Sequence, residues 1–225
     1  MNAKITRNLF LSVLLLILTA ASAFADTGDF ALGIKASTLG AGAEGVVGLL
    51  PSLNLRGGAN ALSVDFDINT SDIDYDVDAD LLNFPIMLDW YPFKKSGFRI
   101  SAGALINKNE ADIEASSQSS YTLDGTTYTA AQLGTLNGKV DFNEVAPYVG
   151  IGWGNALGKS TRWSFSCDFG VVFQGEANVD LSATGPIASD PTFQEDLARE
   201  KRELEEELED YQYYPVIALG ITYKF

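Results

Sequence analysis

The chain of 225 residues contains no histidine at all and a single cysteine, Cys167. Without histidine there is no Ser-His or Cys-His nucleophile pair and no histidine-bearing zinc site. Enzymes built on those devices are therefore excluded, and the expectation is a protein without catalytic activity. With one cysteine no internal disulfide forms, and Cys167, on an apolar parity, reads as a small hydrophobe. Basic residues are also scarce, 15 against 30 acidic, a net charge of −15. A nucleic-acid surface needs a basic stripe, so nucleic acid is not an expected partner. Beyond the first 25 residues no apolar run approaches the roughly 18 consecutive residues that mark a membrane-spanning helix.

The N-terminus has the parts of a secretory signal: Lys4 and Arg7, an apolar run from Leu9 to Leu18, and Ala23-Phe24-Ala25 before Asp26. Ala21-Ser22-Ala23 is a second candidate cleavage site. Residues 1–25 are thus read as a removed signal peptide and 26–225 as one domain. Removal of Lys4 and Arg7 leaves 13 basic residues against 30 acidic, a net charge of −17.

Most of the rest alternates with period two, the mark of strands with one apolar face. Eight such stretches can be placed. The first, at 30–37, sets Phe30, Leu32, Ile34 and Ala36 against Ala31, Gly33, Lys35 and Ser37. A tight reversal at Leu39 to Gly42 leads to a second strand with Glu44 on its polar parity. A third alternates Leu53, Leu55, Gly57 and Ala59 with Asn54, Arg56, Gly58 and Asn60, and its slip at Ala61-Leu62 predicts a bulge. The fourth carries Leu82, Phe84, Ile86, Leu88 and Trp90 opposite Asp89, with a second bulge expected at Leu81-Leu82. Further strands follow at 98–107, 145–153 and 163–174, and Pro147 strains the pairing of the sixth. The eighth, Tyr214 to Phe225, places Ile217, Leu219, Ile221, Tyr223 and Phe225 on one side and Lys224 on the other.

Short turns near 51, 94 and 158 alternate with long connections near 70, 127 and 195, the first hairpin excepted. An even strand number with one short-turn end is the pattern of an outer-membrane barrel. The polar parity is mostly Gly, Ala and Ser, which suits a crowded lumen better than a water-facing wall. Trp90, Tyr91, Trp153 and Trp163 cluster at the short turns as an aromatic girdle. The expected fold is therefore an all-β, eight-stranded antiparallel up-and-down transmembrane barrel, its last strand pairing with its first.

These features resemble the small outer-membrane barrels of the outer-membrane protein A, X and W type. The resemblance implies residence in the bacterial outer membrane with a periplasmic N-terminus, among lipid and lipopolysaccharide. It also implies that the barrel assembly machinery recognises the terminal strand through Tyr223 and Phe225. The short first hairpin and the helix in the last loop depart from that type.

Seven charges fall on the lumen parity: Lys35, Glu44, Arg56, Asp89, Arg99, Asp168 and Lys224. An eight-stranded barrel is just filled by its side chains, and buried charges must pair, so an ion network is expected there. The plugged lumen leaves a role in envelope integrity or in surface interaction through acidic loops. A narrow channel for small polar or cationic solutes is the alternative. The aspartates at 72–80 include Asp72, Asp74, Asp76 and Asp78, hard ligands for calcium or magnesium. Alternate strand positions lie ~7 Å apart, which spreads them over a face rather than around an ion. A solvated acidic face is expected, with no metal and no cofactor; a ligand bound by the loops stays unnamed. Asp190 and Pro191 start a helix running to Tyr211, with a narrow stripe of Phe193, Leu197, Leu204, Leu208 and Tyr211.

Overall fold

A computed structural model describes residues 29–69, 73–93, 96–117, 120–123, 125–158 and 162–225. The signal segment, Asp72, and the turn lysines Lys94, Lys95 and Lys159 lie outside the described residues. Thirteen strands form among the described residues: β1 (Phe30–Ser37), β2 (Gly40–Leu50), β3 (Leu53–Asn69), β4 (Ile73–Trp90), β5 (Phe98–Asn107), β6 (Glu110–Ser117), β7 (Ser120–Leu123), β8 (Thr126–Thr129), β9 (Leu136–Asp141), β10 (Val145–Trp153), β11 (Trp163–Phe173), β12 (Asn178–Ala183) and β13 (Tyr213–Lys224). Among the described residues two α-helices accompany them, α1 (Ala130–Leu133) and α2 (Pro191–Glu207).

Eight of the strands close on themselves in the order β1-β2-β3-β4-β5-β10-β11-β13, every neighbour antiparallel. The expected barrel is there, with β13 closing on β1 from Ala31–Lys224 to Ser37–Ala218. Its outer wall carries Ile34, Ile86, Trp90, Trp153, Trp163, Phe165, Leu219 and Phe225, each at least half exposed. A band of this size fits lipid rather than water.

The two expected bulges are absent. Partners of β3 and β4 keep one register from Leu53–Trp90 to Asn69–Asp74, and the irregularity in this region falls instead in β2, between Gly48 and Leu50. The ladder skips Gly58 and Ala59, opposite Pro85, which has no N–H to donate. What changes at Ala61-Leu62 and Leu81-Leu82 is the surroundings, not the register. Below that level the outward residues Leu55, Ile86 and Leu88 are apolar. Above it the same parity carries Ser63, Asp65 and Asp67 on β3 and Asp76, Asp78 and Asp80 on β4. Pro147 pairs with Ala104 of β5, and the β10–β11 ladder opens only at the next residue, Tyr148–Val172, so the missing donor falls at the end of that ladder rather than inside it.

The outer half of β4 pairs on its far side with β6, β6 with β9, and β9 with β12, so the barrel wall rises into an outer sheet. The long connection expected near 127 is therefore largely ordered strand. Glu110 to Ser117 holds Ala111, Ile113 and Ala115 on one face against Glu110, Asp112 and Glu114 on the other. The apolar face continues the lumen parity of β4, and a cap packs on it: the β7–β8 hairpin, α1 and α2, around Ala115, Tyr121, Leu123, Tyr128, Leu133, Phe193 and Leu197. Helix α2 begins where expected, with Asp190 accepting from the N–H groups of Thr192 and Phe193. It ends at Glu207, short of the expected Tyr211, and gives way to a 3-10 turn over Glu209–Gln212. Rather than resting in solvent it buries Phe193 and Leu197 in the cap.

Candidate functional site

The lumen is layered. At the short-turn end Ala31 and Val46 meet Leu157, which folds in from the β10–β11 turn. At the long-loop end Leu39, at the tip of the first hairpin, joins Met87, Leu105, Ala146, Tyr148, Val172 and Val216. The ring of Tyr148 lies over Gly150 and Gly170, where an added Cβ would come within 2.4 Å of its hydroxyl. Those two glycines make room for the ring.

Between the apolar layers sits the ion network. Arg56 grips Asp89 with two bonds, Nε to Oδ2 at 2.8 Å and Nη2 to Oδ1 at 3.0 Å. Its Nη1 also reaches Glu44 and Asp168, both at 3.4 Å. Arg99 Nη2 donates to Asp168 Oδ1 at 2.6 Å, and its Nη1 to the Gly154 carbonyl. Lys35 pairs with Glu44 at 3.2 Å. The hydroxyl of Ser101 donates to Asp89 at 2.6 Å, and Asn60 to Asn83 nearby at 2.7 Å. Six of the seven sequence-selected charges thus converge, three basic and three acidic. Lys224 stands apart, bound to Asp29 at 2.9 Å and to the Leu157 carbonyl. The bidentate fork and charge balance are what a buried network needs. Among the described residues, lumen cavities of about 30 and 10 Å³ have room for no more than a water or two each.

Trp90, Trp153 and Trp163 point outward near the short turns, each at least half exposed. Tyr91 does not join them. It follows Trp90 in a strand, so its side chain turns inward; it is buried, its hydroxyl donating to Gly154 at 3.4 Å. Tyr223 packs edge-on against Trp163 at 5.0 Å and Phe225 at 5.2 Å, and accepts from Arg162 at 3.1 Å. A groove of about 810 Å³ on the outer wall, between Ile34, Phe165, Cys167, Leu219 and Ile221, belongs to that apolar band and not to the lumen.

The acidic face of the outer sheet sets Asp65 across from Asp78, Asp78 across from Asp112, and Asp76 across from Glu114. Asp76 and Asp78 are exposed there, whereas the side chain of Asp74 lies outside the described residues. Lys139 answers part of this charge by donating to Glu110 at 2.6 Å, a bond that holds its ammonium protonated above the usual lysine range. Among the described residues no three acidic or cysteine side chains converge as metal ligands do. In the cap, Tyr128 donates to Asp196 at 2.5 Å. That bond holds the Asp196 carboxyl below its ordinary value and pushes the phenol up to about 12.

Several lumen residues were not among the charges that the sequence singles out. Ser101 and Asn60 sit on the lumen parity and were open to it; Leu39 and Leu157 enter from turns, where alternation gives no direction. Leu105 lies between Ala104 and Ile106, so its parity is masked by apolar neighbours.

A closed eight-stranded antiparallel barrel with an apolar outer band and a charged, filled lumen is the fold of small outer-membrane barrel proteins. Two solved structures are similar in fold. CarO2 of Acinetobacter baumannii is similar with a TM-score of 0.58 at 20% identity, covering 88% of this chain and 98% of that one. CarO of the same organism gives 0.56 at 21%, covering 87% and 97%. A major outer membrane protein of Thermus thermophilus gives 0.43 at 12%, covering 89% and 100%. No protein-family profile matches the chain, and no curated protein sequence does.

Proposed function

We propose that the protein is a non-enzymatic barrel of the bacterial outer membrane whose lumen is a structural plug and whose working surface is the outer sheet with its cap. Residues 1–25 act as its signal peptide, and Tyr223 and Phe225 present the terminal strand to the barrel assembly machinery. The observation that carries this reading is the lumen itself: a balanced ion network sealed between apolar layers closed by Leu39 and Leu157. The cap and outer sheet, by contrast, devote two helices and five strands to a surface with no part in closing the barrel. That elaboration supports a role in envelope integrity or surface interaction, and likeness in fold to outer-membrane proteins supports the location.

Protease added to intact cells expressing the chain tests the reading. Cleavage within the cap with the barrel strands protected is expected. A cap protected in intact cells but cut in lysed ones would overturn the outward orientation. A second reading, a narrow channel for small polar or cationic solutes, has in its favour the charged groups around the lumen cavities.

A further inference from the structure

The outer sheet has two edges, and the chain treats them differently. At β12 the edge is covered by α2: the Val179 N–H donates to the Glu205 carboxylate at 3.3 Å, and Lys201 bridges to Asp180 at 3.5 Å. At the other edge runs the outer half of β3. The β1–β2 hairpin reverses between Ser37 and Gly40, so β2 gives out at the Ala41–Ala61 pair while β3 continues to Asn69. Beyond Ala61, β3 is paired on one side only, with β4, and among the described residues no strand takes the other side.

Which groups are left open follows from the ladder. The Tyr91 N–H donates to the Ser52 carbonyl at 2.9 Å. Bonding residues alternate in an antiparallel pair, so even-numbered residues of β3 face β4. Ser63, Asp65 and Asp67 therefore turn their N–H and C=O groups to the open edge. Leu62, Val64 and Phe66 are 41%, 43% and 45% exposed on one face of this edge, and Asp65 and Asp67 are exposed on the other. Charged side chains, proline and bulges usually blunt such an edge. From Leu62 to Asn69 there is no proline, no lysine and no bulge, and the charges are Asp65 and Asp67, which repel an acidic strand and would attract a basic one. A second copy is a poor occupant, because antiparallel self-pairing would oppose aspartates to aspartates.

We infer that the β3 edge from Leu62 to Asn69 is a docking site for an extended segment of a partner in which apolar residues alternate with Lys or Arg. The segment adds a strand to the outer sheet: main-chain bonds hold it, its apolar residues cover Leu62, Val64 and Phe66, and its cations meet Asp65 and Asp67. The inference rests on the outward-cap reading only for placing the partner outside the cell; the edge itself can be tested on isolated protein.

The experiment uses the full chain refolded in detergent and a blocked, fluorescent peptide, Lys-Val-Lys-Val-Lys-Val-Lys, followed by anisotropy. Saturable one-to-one binding is expected. Methylating the peptide's bonding amides, which leaves its charge intact, should weaken binding about tenfold or more, as lost main-chain hydrogen bonds require. Replacing Asp65→Lys together with Asp67→Lys should abolish binding and confer affinity for the corresponding Asp-Val peptide. Equal affinity for the methylated peptide would overturn the inference, reducing it to adsorption on the acidic face. So would absence of saturation, or dimerisation of the protein through this edge. Should the double variant fail to fold by circular dichroism, the methylated peptide on the unaltered chain still decides.

Discussion

The lumen and the outer sheet share strands β3 and β4, yet they handle charge in opposite ways. In the lumen three bases meet three acids within hydrogen-bonding distance and the charges cancel. On the outer sheet acids face acids across β3, β4 and β6, and few bases answer them. Burial explains the difference: an unpaired ion inside is costly, whereas water screens the exposed carpet. A side chain's worth to the fold therefore follows its surroundings, not its charge.

Arg56→Ala should have the largest effect, since it strands Asp89, Glu44 and Asp168 without their shared partner. A loss of about 3–5 kcal/mol is expected, read from denaturant or thermal unfolding in detergent; an unchanged midpoint would mean the lumen behaves like the surface. Phe193→Ala should cost about 3 kcal/mol, but locally: hydrogen exchange in the cap should rise while barrel strands stay protected. Simultaneous loss of barrel protection would erase the distinction between the two regions. Gly170→Ala should cost about 1–3 kcal/mol by driving a methyl into the Tyr148 ring, and the cost should shrink in a Tyr148→Ala background. Asp76→Asn, on the acidic face, should change stability by less than about 0.5 kcal/mol.

The cap adds a pH dependence of its own. Asp196 has a lowered folded pKa, so its contribution is present above about 4, the ordinary aspartate value, and is lost as pH falls through the folded value. Tyr128 has a raised one, so its contribution is present below about 10, the ordinary tyrosine value. It fades as pH rises through the folded value of about 12. Cap exchange protection should therefore be broad in the middle and fall at both extremes, and Asp196→Asn should flatten the acid limb.

Much of the barrel was legible because period-two alternation is a direct consequence of strand geometry, and a bulky face against a small one separates lipid from lumen. The lumen charges were legible for the same reason. The outer sheet was hidden by the change of solvent: at Leu62 and Leu81 the apolar residues swap parity, which in a soluble strand would mean a bulge. Strand β6 was hidden by Ser and Thr beyond it, and Tyr91 was misplaced by adjacency to Trp90 where alternation sends it inward. Leu39 and Leu157 come from turns, whose direction only the folded chain sets.

Single-channel recording of the refolded protein in a planar bilayer tests the plugged lumen most directly. The layered lumen predicts a flat current at all applied voltages. Stepwise openings would contradict it and establish the channel.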